Sequence, residues 1–365
     1  MTALIRRLVE CESPSDDAPA VNRFVDLLAA ESGDIARTSA VPGGAFGKHL
    51  RCEFRLPGKK KAGQILVLGH SDTVYPRGTL ASMPFRHRGG RLYGPGVLDM
   101  KGGLAFFLHA MRALRELDLP VARRVVLLVV SDEEVGSESS RPLTEREARR
   151  SEAVLVLEPA TGLEGKLKTA RKGVGDYRVA VRGRAAHAGL DFSVGANAIL
   201  ELSRQIAKIA GFTQLARGVT VSPDIIAGGT RTNVVPAEAH AVVDIRALRL
   251  RDASALDRKF RALRPFDRRC SLDVTGGLNR PPMERSAGGA RLFRTARKLA
   301  RGLGVELEES TVGGGSDGNF TAALGIPTLD GLGAVGEGAH ASHESILVDR
   351  IADRTALLAK LVREL

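Results

Sequence analysis

Three apolar runs end abruptly in side chains that bind cations or move protons. "VLGHSDTVYP" (67–76) ends in His70, Ser71 and Asp72, "VVLLVVSDEE" (125–134) in Asp132, Glu133 and Glu134, and "AVLVLEP" (153–159) in Glu158. Imidazole nitrogen and carboxylate oxygen are the donors of hydrolytic metal centres, and histidine is the commonest metal ligand among side chains. Asp72, two residues beyond His70, is placed to support that imidazole. A ligating histidine usually gives its other N–H to a carboxylate or carbonyl, which fixes the tautomer. Two glutamates side by side after an apolar run suit a division of labour, one binding metal while its neighbour takes a proton from water.

"GPGVLDMKGG" (94–103) sets Asp99 in a glycine-rich turn just before a long helix. Such an aspartate either caps the helix or bridges two metal ions, with Lys101 and the glycines shaping the turn. "GAVGEGAHASHESI" (333–346) offers both His340 and His343, and its glycines indicate a loop that leaves the choice open. The remaining histidines, at 49, 87, 109, 187 and 240, carry no such signal taken alone. Two histidines, three ligand carboxylates and one free glutamate suit two divalent ions ~3.5–4 Å apart. A donor set without cysteine suits catalytic zinc, with manganese or cobalt able to replace it.

These residues need elements to bring them together. Residues 1–30 show apolar positions at helical spacing, and "KHLRCEFRLPG" alternates like a strand. "GQILVLGH", "RRVVLLVVS" and "EAVLVLEP" are continuous apolar runs of strand length, and "LDMKGGLAFFLHAMRALREL" reads as a helix of about five turns. Continuously apolar strands alternating with helices imply an α/β fold, a mostly parallel sheet flanked by helices. Ligands of such sheets sit beyond the carboxyl ends of the strands, where His70, Glu133, Glu134 and Glu158 all fall.

The pattern changes after about residue 171. "GDYRVAVRGRAAH" alternates, "SVGANAILELSRQIAKIAG" is an amphipathic helix, and residues 218–249 read as two antiparallel strands around a glycine-rich turn. "DASALDRKFRALRP" then reads as a helix and "RRCSLDVTGG" as a strand. This is a small α+β unit with an antiparallel sheet. The α/β style returns after "LNRPP", with a helix near 288–303 and a strand near 305–310. The expected organisation is a catalytic domain of residues 1–171 and 281–365, interrupted by an inserted α+β domain of residues 172–280.

The chain has 365 residues, 43% of them hydrophobic and 26% charged, enough for a sizeable core. No apolar run is long enough to span a bilayer, and "MTALIRRLVE" lacks the plan of a signal peptide. No membrane partner and a cytoplasmic location are expected. Cys11, Cys52 and Cys270 are too widely spaced for a disulfide framework or a cysteine zinc site. The net charge of +12 is compatible with a nucleic-acid partner. The basic residues are scattered, however, and aromatics make up only 4%, so a basic solvated surface is the expectation and no nucleic acid is expected as a partner. "PGKKKAG" (57–63) reads as an exposed loop.

The ordered set "GHSDTV", "GPGVLDMKGG", "SDEEVGS", "LEP", "GRAAHAG", "NVVPAEA", "GGGSDGNF" and "GAHASHE" covers nearly the whole chain. It resembles the zinc-peptidase family of aminoacylases, succinyl-diaminopimelate desuccinylases and bacterial glutamate carboxypeptidases. The resemblance implies a zinc exopeptidase-like fold with an inserted lid and dimerisation domain. It implies that His70, Asp99 and Glu158 hold one zinc ion, and Asp99, Glu134 and His340 the other, with Asp99 bridging. It further implies that Glu133 is the general base and Asp72 the support of His70. His340 and Glu344 match the family's last motif, while His343 stands where many members carry Asn or Asp. His187 of "AAHAG" matches a histidine that reaches the partner subunit's site and stabilises the oxyanion. Asn233 and Arg246 match positions that bind the substrate's terminal carboxylate, and Arg280 resembles a substrate-side position. The implied function is two-metal hydrolysis that releases a C-terminal amino acid, glutamate among the candidates, from peptides or N-acyl amino acids. The rivals are an N-acyl amino acid deacylase of the same chemistry and a catalytically silent binding protein that keeps the fold. A homodimer through the inserted domain is also implied.

Overall fold

The computed structural model describes residues 1–365, which divide into two compact units. One comprises Met1–Ala170, Arg285–Val312 and Ser316–Leu365; the other comprises Arg171–Glu284 and Gly313–Gly315.

The first unit begins with helices α1 (Thr2–Glu10) and α2 (Ala18–Ser32), then strands β1 (Ala36–Pro42), β2 (Lys48–Phe54) and β3 (Gln64–His70). The helical pattern of residues 1–30 is thus two helices. The stretch between them contains Pro14, and Asp17 caps α2 by accepting from the Ala20 amide. A short hairpin of β4 (Arg86–Arg88) and β5 (Arg91–Tyr93) leads to α3 (Gly102–Glu116). The helix starts later than the sequence pattern suggests, because Asp99 and Met100 have non-helical backbones. Strand β6 (Arg124–Val130), helix α4 (Arg141–Ala148) and strands β7 (Ser151–Val156) and β8 (Leu167–Arg171) follow.

The second unit runs β9 (Gly173–Arg182), α5 (Ala198–Ala210), β10 (Thr220–Gly228), β11 (Glu238–Ala247), α6 (Leu250–Arg261) and β12 (Ser271–Arg280). Its sheet has the order β10-β11-β9-β12, and every pairing is antiparallel. Burial alternates residue by residue along β9 and β11, as expected of a sheet covered on one face. The buried side, with Tyr177, Val179 and Val243, packs with Leu202 of α5 and Leu256 and Phe260 of α6. Tyr177 stacks on Phe260 at 3.9 Å.

The chain then returns to the first unit through α7 (Ala287–Arg301), β13 (Glu309–Val312), α8 (Gly318–Ala323), β14 (Thr328–Leu329), β15 (Gly336–Glu337), β16 (Ser345–Leu347) and α9 (Ile351–Glu364). The strand expected near 305–310 lies at 309–312. It pairs with β8 alone, outside the main sheet.

The main sheet has the order β1-β2-β6-β3-β7-β14. The pairings β6/β3, β3/β7 and β7/β14 are parallel, while β1/β2 and β2/β6 are antiparallel. The sheet is therefore mixed and mostly parallel. Both of its faces are covered. Ile65, Val67, Leu127 and Leu155 pack against α3, α7 and α9, while Leu66, Leu68, Val126 and Val154 pack with Leu143 and Ala148 of α4. That is why the strands read as unbroken apolar runs. Each fully buried Leu, Ile or Val contributes roughly 1.5–3 kcal/mol. No helix is long and apolar enough to cross a membrane.

Candidate metal centre

Parallel pairing aligns the strand ends. His70 is the last residue of β3 and lies beside Val130, the last of β6, so the 131–134 segment emerges next to the imidazole. Glu158 follows two residues beyond the end of β7. Asp99 arrives from the opposite direction, on the turn before α3. That turn sits close because residue 103 has no side chain: a Cβ there would lie 2.5 Å from the Leu157 carbonyl oxygen, the residue before Glu158.

Asp99 does not cap α3, whose start at Lys101 has no side-chain cap. Its two oxygens are instead divided between two imidazoles. Oδ1 lies 3.1 Å from His70 Nε2 and Oδ2 lies 3.4 Å from His340 Nε2. His70 Nε2 is also 3.6 Å from Glu158 Oε1, and His340 Nε2 is 3.4 Å from Glu134 Oε1. Donor atoms of His70, Asp99 and Glu134 all fall within 4.8 Å of one another, as do those of His70, Glu133 and Glu158. His340 has the left-handed φ of +63°, which is uncommon for a side chain of its size and typical of functional loops. His343 belongs to neither donor group, and its ring lies against Gly338.

Asp72 supports His70 differently from the expectation. His70 Nδ1 lies 2.9 Å from the Asp72 main-chain oxygen and 3.6 Å from its carboxylate, so the carbonyl fixes the ring. The buried carboxylate accepts instead from the Glu133 amide (3.2 Å), the Glu134 amide (3.1 Å) and Ser15 Oγ (2.9 Å). Asp72 thereby sets the backbone from which both glutamates project. Asp132, the first acid of that run, turns inward and accepts from the Ser139 and Ser140 amides.

Glu344 matches the last motif of the resemblance, but its role is visible only in the fold. It is fully buried and accepts from the amides of Gly96 (3.0 Å), Leu98 (2.7 Å) and Asp99 (2.9 Å) and from Tyr75 Oη (2.5 Å). An acidic residue in a polar loop carries no periodic signal, and only the spacing from His340 marked it. Lys101 is buried too. Its Nζ donates to the Cys11 carbonyl at 2.9 Å and lies 5.0 Å from the Phe24 ring centroid, and burial lowers its pKa to about 8.

The electrostatics are those of crowded anions sharing two imidazoles. Burial pushes the Asp99 carboxyl up, but the hydrogen bonds of His340 and His70 outweigh it and hold the group well below the carboxylate range. Hydrogen bonds that the His340 ring donates to the Asp99 and Glu134 carboxylates lift its pKa to about 10. Burial lifts Asp72 to about 7, and burial also raises Glu134. Apart from the His340 ring at 3.4 Å, Glu134 Oε1 is buried without a donor. A buried carboxylate oxygen faced only by an imidazole, a carboxylate split between two imidazoles and a donor set of nitrogen and oxygen alone fit a pair of divalent cations.

The other expected residues belong to the second unit. His187 is exposed, and its Nδ1 accepts from the amides of Gly189 and Leu190 at 3.1 Å each. Asn233 is exposed, with its main-chain oxygen accepting from Ala188. Arg246 donates to both oxygens of Asp244 (3.1 and 3.2 Å) and to the Gly313 carbonyl (3.1 Å). Arg280 is buried, with Nη1 donating to Asn279 Oδ1 at 3.2 Å.

The family model of peptidase family M20/M25/M40 matches residues 66–364. The chain is 30% identical over 370 residues to carboxypeptidase G2 of Pseudomonas sp. (strain RS-16), covering 99% of this chain and 88% of that one. It is 29% identical over 315 residues to a succinyl-diaminopimelate desuccinylase of Azoarcus sp. (strain BH72), covering 81% of each. Among solved structures, aminopeptidase PepT from Bacillus cereus ATCC 10987 superposes with a TM-score of 0.82 at 23% identity, over 100% of this chain and 97% of that one. The chain belongs to peptidase family M20/M25/M40 and is a metal-dependent hydrolase of that family.

Proposed function

We infer that the protein is a two-metal amide hydrolase that releases a C-terminal amino acid from peptides or N-acyl amino acids. The observation that carries this reading is Asp99, whose two oxygens face two different imidazoles, with the Glu133 carboxylate beside one of them. His70, Asp99 and Glu158 would hold one ion, and Asp99, Glu134 and His340 the other. Zinc suits this donor set, and manganese or cobalt would be tolerated. Bound there, the ions would polarise a carbonyl and make water acidic enough to attack near neutral pH.

The chain's own groups supply the rest. Glu133 takes the proton of the attacking water and passes it to the leaving amine. Asp72 keeps Glu133 and Glu134 in place through their amides. With His187 Nδ1 accepting, the proton of the neutral ring stands on Nε2, ready to donate to a developing oxyanion. Asn233, Arg246 and Arg280 would receive the substrate's terminal carboxylate. Arg246 would exchange part of its pairing with Asp244 to do so. A homodimer through the second unit is supported by the edge position of β10 and by the exposed Ile225, Ile226, Leu200 and Phe192 of that unit.

The likeness to carboxypeptidase G2 favours release of a C-terminal residue, glutamate by the resemblance to bacterial glutamate carboxypeptidases, and the likeness to a desuccinylase favours an N-acyl amino acid. The test is metal content together with hydrolysis of benzoyl-glutamate, acetyl amino acids and dipeptides, wild type against Glu133→Ala. Two ions per chain and glutamate release that collapses in the variant support the carboxypeptidase reading. Preference for acetyl amino acids moves it to deacylation. No hydrolysis after reconstitution with zinc, manganese or cobalt sinks it.

A further inference from the structure

His49 stands on β2, is buried, and belongs to neither donor group. Both of its ring nitrogens face a single segment, residues 131–140. The Ser131 amide donates to Nδ1 at 3.2 Å, which makes that nitrogen an acceptor. Ser131 Oγ lies 2.9 Å from the same nitrogen and donates to it as well. The proton of the neutral ring therefore stands on Nε2, and Ser139 Oγ accepts it at 3.3 Å. Burial keeps the imidazole pKa below its ordinary value, partly opposed by Asp132.

The chain of bonds continues. Ser139 donates to Asp132 Oδ2 through Oγ (2.8 Å) and through its amide (2.7 Å), and Ser140 donates its amide to the same oxygen (3.2 Å). The Ser137 amide donates to the Asp132 main-chain oxygen at 2.7 Å. His49 thus grips the segment at residues 131 and 139, and Asp132 ties its far end back to its start. The β1–β2 turn makes room for the ring: a Cβ on Gly43 would lie 2.8 Å from His49 Cε1. Glu133 and Glu134 stand inside this circuit, their amides held from the other side by Asp72.

We propose that His49 is a positioning residue for hydrolysis: as a neutral ring it locks the 131–140 segment, so that the Glu133 and Glu134 carboxylates are held in working geometry. The proposal rests on the hydrolase reading above. A histidine that merely filled the core would be replaceable by an apolar side chain at a cost in stability alone. A positioning histidine shows in kcat.

The experiment compares metal-loaded wild type, His49→Leu, His49→Asn and Ser139→Ala. His49→Leu fills the space and removes both ring contacts. His49→Asn keeps an acceptor for the Ser131 amide. Ser139→Ala removes the hydroxyl that joins His49 Nε2 to Asp132 Oδ2, leaves the Ser139 amide on Asp132, and serves if His49→Leu does not fold. At equal metal content, kcat in His49→Leu is expected to fall ~10–100-fold, as for other supports of metal-site residues, with KM unchanged. His49→Asn is expected to recover part of the loss, and Ser139→Ala to lose less. The visible absorption of the cobalt-loaded protein should shift in the same order. Unchanged kcat per loaded chain in both His49→Leu and Ser139→Ala overturns the proposal, as does a loss that only follows lost metal or lost folded protein. If the wild type hydrolyses nothing, the hydrolase reading falls, and the cobalt spectra still decide: a shift keeps the link from His49 to the centre, and identical spectra refute it.

Discussion

Glu344 belongs to neither donor group, yet it holds the turn on which Asp99 stands. It carries the amides of Gly96, Leu98 and Asp99 and thereby shapes the turn that presents the Asp99 carboxylate. Removing it strands the three amides, while the Tyr75 hydroxyl keeps the Ala341 carbonyl as an acceptor at 3.0 Å, and an unpaired buried polar group costs about 1–3 kcal/mol. Glu344→Ala should lower the stability of the metal-free chain by about 3 kcal/mol and weaken metal affinity ~10–100-fold, measured by denaturation and chelator competition. Tyr75→Phe, which removes one donor, should cost about 1 kcal/mol. An unaltered metal affinity in Glu344→Ala would show that the turn holds itself. The second expectation at this scale concerns protons. With its folded pKa raised to about 10, His340 of the metal-free chain is protonated near neutral pH. Its contribution to stability is whole below the ordinary imidazole value and is lost as pH rises through about 10. Metal must displace that proton, so affinity should rise with pH and uptake near neutrality should release protons. Titration calorimetry in buffers of different ionisation enthalpy reads the release directly, and a buffer-independent heat would refute it. His70, Asp99, Glu133, Glu134, Glu158 and His340 were all legible as candidates, because each stands at a strand end or in a glycine-rich turn. Ser15 and His49 were not, and Glu344 was marked only by its spacing from His340, because their importance lies in which backbone amides or neighbouring side chains they meet, and that depends on tertiary contacts.

At the scale of elements, the strands were the most readable feature, since a run buried on both faces has few alternatives. The boundaries that the pattern missed are those where chemistry overrides propensity. The apolar spacing of "LDMKGGLAFFL" continues through Asp99, yet the backbone leaves the helix there so that both carboxylate oxygens can face histidines. β13 is offset and pairs only with β8, a choice that a four-residue strand cannot announce. Gly103 offers the sharpest test of close packing between elements. In an exposed helix, Gly→Ala stabilises by about 1 kcal/mol. Here the new methyl would meet the Leu157 carbonyl at 2.5 Å, so the sign should reverse. Gly103→Ala is expected to destabilise by about 1–3 kcal/mol and to lower activity by moving the Asp99 turn, both measurable by urea denaturation and kinetics. A stabilised variant of full activity would show that α3 can withdraw from β7 without consequence.

At the scale of the molecule, the candidate functions divide between the two units. Every residue of the proposed metal centre belongs to the first unit, and His187, Asn233, Arg246 and Arg280 belong to the second. Substitutions in the second unit should therefore leave metal content at the wild-type value. His187→Ala should lower kcat about 10²–10³-fold, the usual cost of one oxyanion donor, while Arg246→Ala should act mainly through KM. Both readings of His187, within its own chain or across a dimer, predict that loss, so kinetics of the single variant cannot separate them. Mixing can. His187→Ala and Glu133→Ala are each expected to be nearly inactive, and each lacks a different part of the machinery. If the homodimer exists and His187 serves the partner's site, subunit exchange forms heterodimers in which one of the two sites draws its base and its oxyanion donor from intact chains. With random exchange of equal amounts, about a quarter of all sites would be whole, and activity should return to roughly that fraction of the wild type. If His187 serves its own chain, no heterodimer contains a whole site and the mixture stays inactive. A recovered activity that rises with incubation time, at the rate of subunit exchange followed independently by fluorescence, would tie it to the dimer rather than to a contaminant.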